Sequence, residues 1–149
     1  MQSLEYRLGD CFISTSRKKL DLKMIHEYLS TQSYWAQGRP FDVVKRGIEN
    51  SLCFGMYDSA EKQIGFARIV TDYATFGWLC DVFVIEGRKG EGLGKWLVKT
   101  IVECPELRGI KRIMLATKDA HVLYRRYGGF ESLKEPSRWM ERSGDAGAQ

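Results

Sequence analysis

The run FGWLCDVFVI, Phe76 to Ile85, followed closely by KGEGLG, Lys89 to Gly94, decides how this chain folds. The first stretch is almost unbrokenly apolar, which suits a strand buried on both faces, and Asp81 is its only charge. In the second, Gly90, Gly92 and Gly94 take alternate positions as Leu93, Leu97 and Ile101 begin to recur at helical spacing. Glycine permits positive φ and close approach of a ligand to the backbone. The free amides and positive dipole end of the new helix attract phosphate. With Arg88, Lys89 and Lys95 beside it, this junction reads as an anion cradle rather than only a tight turn.

Two common phosphate motifs fail on counting. A Walker loop needs Gly five residues before Gly94 and Ser or Thr after Lys95, where the chain has Lys89 and Trp96. A dinucleotide fingerprint begun at Gly90 needs glycine where Lys95 stands, and this turn follows a late strand rather than opening a βαβ unit.

Outward from the junction, Lys111 to Ala116 reads as a further strand, and Asp119 as the cap of a last helix stopped by Gly128 and Gly129. Phe130 to Leu133 and Arg138 to Met140 read as two closing strands. Towards the N-terminus, Ser51 to Tyr57 and Gln63 to Asp72 form a hairpin pattern. Arg7 to Ser14 has the pattern of one short strand. Between lie two amphipathic helices, Leu22, Ile25 and Leu29 behind Asp21, and Phe41, Val44 and Ile48 behind Pro40. The predicted order β-α-α-β-β-β-α-β-α-β-β is an α/β (α+β mixed) domain over residues 1–142. Residues 143–149 are expected to form a flexible tail.

The chain has 149 residues, enough for one core, and is 44% hydrophobic and 28% charged, a globular composition. A net charge of +4 is too small for a dedicated nucleic-acid binder, so no nucleic-acid partner is expected. No apolar run approaches the roughly 18 residues of a membrane span, and no secretory signal pattern opens the chain, so a cytoplasmic location without membrane contact is expected. Cys11, Cys53, Cys80 and Cys104 are scattered, and no metal is expected.

The glycine turn resembles the acyl-coenzyme A loop of the GNAT superfamily of N-acetyltransferases, Arg/Gln-x-x-Gly-x-Gly/Ala, with Lys89 at the first position, then Gly92 and Gly94. The segment Leu123-Tyr124 to Gly129-Phe130 is similar to the family's Leu-Tyr-x-x-x-Gly-Phe signature, with one more glycine. The matching pieces cover about the C-terminal half. The resemblance implies a mostly antiparallel mixed sheet flanked by helices and acetyl transfer from acetyl-CoA to a primary amine, with a small molecule favoured. It implies direct attack in a ternary complex; the alternative is a non-catalytic acyl-CoA-binding or regulatory domain of the same fold. Homodimers are common in the family, so a homodimer is a further expectation.

By that resemblance the backbone of Val82, Phe83 and Val84 holds the pantetheine arm and polarises the thioester carbonyl. Arg88, Lys89, Gly90, Gly92, Gly94 and Lys95 hold the pyrophosphate, and Asp119 lies near the adenosine end. Tyr124 stands where the family has a general acid for the leaving thiolate; the other reading is a core aromatic. Asp81, a carboxylate in an apolar strand, suits a general base or a buried ion pair with Arg68, and these two readings stay open. His26 and His121 are weaker acid–base candidates. The loop aromatics Tyr34, Trp35 and Phe41, with Tyr28 before them, correspond to the family's acceptor pocket or pack on the sheet.

Overall fold

A computed structural model describes residues 2–144. Six strands lie in chain order across one sheet: β1 (Glu5–Leu8), β2 (Cys11–Ser14), β3 (Leu52–Tyr57), β4 (Gln63–Thr71), β5 (Phe76–Val84) and β6 (Arg112–Met114). Every neighbouring pair is antiparallel except β5 with β6, which is parallel. Four helices cover the sheet: α1 (Leu22–Thr31), α2 (Phe41–Glu49), α3 (Leu93–Val102) and α4 (His121–Gly128).

Alternation of side chains along the strands divides the core into two layers. On one face Phe54, Met56, Ala67, Ile69 and Leu79 pack with Leu97, Val98 and Ile101 of α3 and with Tyr124 of α4. On the other, Cys53, Phe66 and Phe83 meet Ile25 and Leu29 of α1 and Val44 and Ile48 of α2. Asp21 caps α1 as expected, its Oδ1 accepting the amide of Met24 at 3.1 Å. Gly129, at φ 70°, ends α4 in the left-handed region where a side chain is disfavoured.

Three expectations are corrected. The pattern over Arg7 to Ser14 is a hairpin, β1 and β2, because Gly9 at φ 58° turns the chain within it. Neither closing strand forms: Phe130 packs edge-on to Tyr124, ring centres 5.9 Å apart, and Pro136–Arg138 is a single 3₁₀ turn. Asp119 does not cap α4; Thr117 Oγ1 accepts the amide of Ala120 at 3.1 Å instead. Of the expected tail, residues 145–149 lie outside the described residues.

Candidate active site

The site is made by two departures of β5 from regular pairing. The first is on its β6 side. Pairing runs only from Phe76 with Arg112 to Trp78 with Met114, so beyond Trp78 the two strands separate and β5 keeps a ladder partner on the β4 side alone. The backbone of Val82, Phe83 and Val84 therefore borders an opening.

The second departure is a bulge. Phe66 pairs with Phe83 and Arg68 with Cys80, leaving Ala67 opposite two residues, Asp81 and Val82. Asp81 is the extra residue and has φ 53°, a conformation that aspartate tolerates better than most side chains. The bulge breaks alternation. Strict alternation would put Cys80 on the face opposite Asp81, but Cys80 is in register with Arg68 and so shares its face, while Val82 packs with the α3 layer.

The bulge aims the Asp81 carboxylate at the loop between α1 and α2. Its side chain is 2% exposed. Oδ2 accepts from Arg68 Nε at 2.6 Å and from Arg39 Nη1 at 2.9 Å, and Oδ1 accepts from Trp35 Nε1 at 2.9 Å. Arg68 Nη1 also donates to Ser51 Oγ at 3.0 Å. Burial works against the Arg68 guanidinium, but Asp81 beside it raises its pKa overall, so it remains a cation. Both oxygens of Asp81 are engaged. Of the two readings of this residue, the geometry is that of the ion pair, extended by Arg39 and Trp35 and not that of a free base.

The opening widens into a cleft of about 800 Å³ lined from both layers. One wall carries Tyr34, Trp35, Arg39, Arg68, Trp78 and Asp81. Tyr28 reaches the same wall, but its ring is stacked on Phe83 with centroids 3.9 Å apart, which fastens α1 to β5. Tyr34 Oη accepts the amide of Lys118 at 2.7 Å, tying the α1–α2 loop to the segment before α4. Phe41 is not brought to the cleft; it meets His26 edge-on at 5.5 Å. His26 Nε2 lies 3.0 Å from the Arg39 carbonyl and is thus a support of the loop, while His121 is exposed and outside the cleft.

At the other end stands the glycine junction. Gly90 and Gly92 have φ 87° and 79°, and added Cβ atoms at Gly90, Gly92 and Gly94 would meet nothing within 4 Å. The first intrahelical bond of α3 runs from Trp96 N to Gly92 O, so the amides of Leu93, Gly94 and Lys95 have no backbone acceptor. This open, amide-lined cradle fits a phosphate. The cations around it are held locally: Arg88 donates to both oxygens of Glu91 at 2.8 and 3.1 Å, Lys89 pairs with Glu86 at 2.7 Å, and Lys95 lies over the Tyr127 ring at 5.3 Å. Asp119 also lines the cleft.

Tyr124 enters the cleft from α4, 9% exposed. Burial, with the nearby Tyr34 phenol, pushes its pKa up to about 12, and its hydroxyl has no hydrogen-bond partner among the described residues. It is a neutral phenol whose proton meets no acceptor among the described residues. Cys80, also on the cleft, is pushed up to about 11 by burial and remains a thiol. Arg39 and Trp78 escaped the sequence reading. Arg39 sits in the aromatic loop between Gly38 and Pro40, and only the fold brings it to Asp81.

A strand bulged beside an opened parallel pair, an amide cradle at the following helix and a buried phenol across the cleft define an acyltransferase-like site. The profile of the Acetyltransferase (GNAT) family matches residues 22–130, and the chain belongs to that family. A protein of Gibberella zeae named as an acetyltransferase, FG08082, is 30% identical over 85% of this chain and 82% of its own length. A structure from Xanthomonas campestris pv. campestris, described as belonging to the GNAT family, is 41% identical with TM-score 0.87, covering 93% of this chain and 96% of that one. An acetyltransferase structure from Clostridium acetobutylicum, solved with acetyl-CoA, shares the fold at 15% identity and TM-score 0.62, over 95% of each chain.

Proposed function

We propose that this acetyltransferase moves the acetyl group of acetyl-CoA to a primary amine of a small molecule by direct attack. The reading is carried by one observation: the unpaired first-turn amides of α3 and the unpaired phenol of Tyr124 open on the same cleft. The loop from Arg88 to Lys95 would hold the pyrophosphate, chiefly through the backbone at Gly90, Gly92 and Gly94. The backbone of Val82 to Val84 would lie along the pantetheine arm, and Asp119 nearer the adenosine. Acetyl-CoA, when bound, supplies an activated thioester.

The chain's own residues divide the remaining work. Tyr124 keeps a proton at its phenol oxygen for the departing sulfur, whose own pKa near 8.5 makes it a good leaving group. Asp81 acts as a positioning residue, holding Trp35, Arg39 and Arg68 in place. With both oxygens of Asp81 engaged, the amine loses its proton to solvent. The turnover kcat/KM should then rise with pH along the acceptor's own titration. Tyr28, Tyr34 and Trp35 shape the acceptor pocket. A cytoplasmic homodimer is the expected setting, and light scattering showing only monomer would reject the dimer.

The direct test is acetyl-CoA-dependent release of free thiol across a panel of amines, with calorimetry of acetyl-CoA binding alongside. Turnover with one amine class supports the transferase. Absence of acetyl-CoA binding overturns it.

A further inference from the structure

The acceptor wall contains more hydrogen-bonding capacity than the protein uses. Asp81 occupies only Nη1 of Arg39 and Nε of Arg68, and Ser51 takes Nη1 of Arg68. Nε and Nη2 of Arg39 and Nη2 of Arg68 have no partner among the described residues. Both side chains are 16% exposed, and both line the cleft.

Charge points the same way. Two guanidiniums face one carboxylate, and Gln32, Tyr34, Trp35, Trp78 and Cys80 beside them are neutral; at the edge of this wall the Lys118 ammonium, 5.6 Å from the Tyr34 ring centre, is offset by Asp119, and Glu86 is paired with Lys89. One positive charge is therefore left over in a half-buried, aromatic-walled recess. There it is screened far less than on an open surface. A purely cationic amine such as a polyamine would meet repulsion that the aromatic rings offset only in part. Because both guanidiniums are clamped on a single oxygen of Asp81, they converge before any ligand arrives. A planar fork already oriented loses little freedom on binding an anion.

We infer that the acceptor carries an anionic group, a carboxylate or phosphate, which Arg39 and Arg68 receive while its amine faces the thioester. This rests on the transferase reading above. Asp81 is then the clamp of a specificity device: it fixes the forks and cancels one of the two charges, so that one anion completes the balance.

The test is calorimetry on the CoA-saturated protein with product-like probes in matched pairs. N-acetylphenylalanine against N-acetylphenethylamine examines the carboxylate, and N-acetylglucosamine 6-phosphate against N-acetylglucosamine examines the phosphate. The expected result is that at least one acid binds about tenfold or more tightly than its uncharged partner. In Arg39→Gln that advantage should vanish, and in Arg39→Lys it should be partly retained. CoA affinity should be preserved in both variants, with Asp81 still paired to Arg68 and Trp35 and the fold checked by thermal melting. Equal binding within both pairs, or no binding by any acid, overturns the inference while CoA binding leaves the transferase reading standing. Failure of the wild type to bind CoA overturns both.

Discussion

Replacing Asp81 by Asn separates the two roles a buried acid can have in this site. Asparagine tolerates the left-handed conformation that Asp81 adopts at φ 53°, so the substitution removes charge without adding backbone strain. It keeps one oxygen to accept from Trp35 or Arg68, but it sets an amide NH₂ against a guanidinium and leaves both arginines unneutralised. Removing one partner of a buried pair destabilises by about 3–5 kcal/mol. Arg39 and Arg68 retain some exposure to the cleft, which argues for the lower end, about 3 kcal/mol. For a chain of this length that lowers Tm by about 6–12 °C. Urea unfolding followed by tryptophan fluorescence should show the midpoint falling with an unchanged slope. Asp81→Ala should lose roughly 1 kcal/mol more, because alanine pays for the left-handed backbone as well. A loss below about 1 kcal/mol in Asp81→Asn, combined with a turnover collapse and disappearance of the acid limb of the pH–rate profile, would refute the clamp and restore the general base.

Tyr124→Phe should lower kcat by about 10²–10⁴-fold while leaving acetyl-CoA affinity intact, and undiminished kcat removes the phenol from the mechanism. Because burial raises the Tyr124 pKa to about 12 from 10.0, its proton is retained through pH 10, and its contribution to stability is full below pH 10 and lost as pH rises through about 12. A Tyr124-dependent fall in kcat centred below pH 10 would contradict that burial. Gly92→Ala places a side chain at φ 79°, at a strain of about 1–2 kcal/mol, and should weaken acetyl-CoA binding in calorimetry; full affinity would mean that the turn is not the cradle. Tyr57 has a buried hydroxyl without a partner among the described residues, so Tyr57→Phe should be neutral or stabilising by about 1 kcal/mol, read as an unmoved or raised urea midpoint.

The stretch from Phe76 through α3 was legible because its signals are local: an apolar run, glycines where φ is positive, then a helical period. The Gly9 turn was missed because one glycine within a short strand-like run does not distinguish a strand from a hairpin. The closing strands failed for a related reason. A strand exists only against a partner edge, and the edge on offer, β6, is three residues long. The bulge could not be read at all. An extra residue in β5 is extra only relative to β4, and the Arg39–Asp81 pair joins positions 42 residues apart. Asp81 itself was visible as a charge in an apolar strand, and so was Arg68 as its partner. The third member and the direction of the carboxylate required the fold.

That direction connects the strain in β5 to the order of the loop between α1 and α2. A left-handed aspartate inside a strand is unfavourable by itself, and persists where its surroundings over-determine it. Here three donors do so, two of them, Trp35 and Arg39, from the loop between α1 and α2. The same loop is fixed at Tyr34 to the amide of Lys118 beyond the separated end of β6. A loop anchored at both sides of the cleft, one anchor being a residue of the central strand, needs little rearrangement when an acceptor arrives. Pre-positioning of reactants is where much of the rate of such a transfer originates. The bulge thus serves the site twice: it directs the carboxylate that holds the loop between α1 and α2, and it lies where β5 has already parted from β6, beside the backbone that borders the cleft.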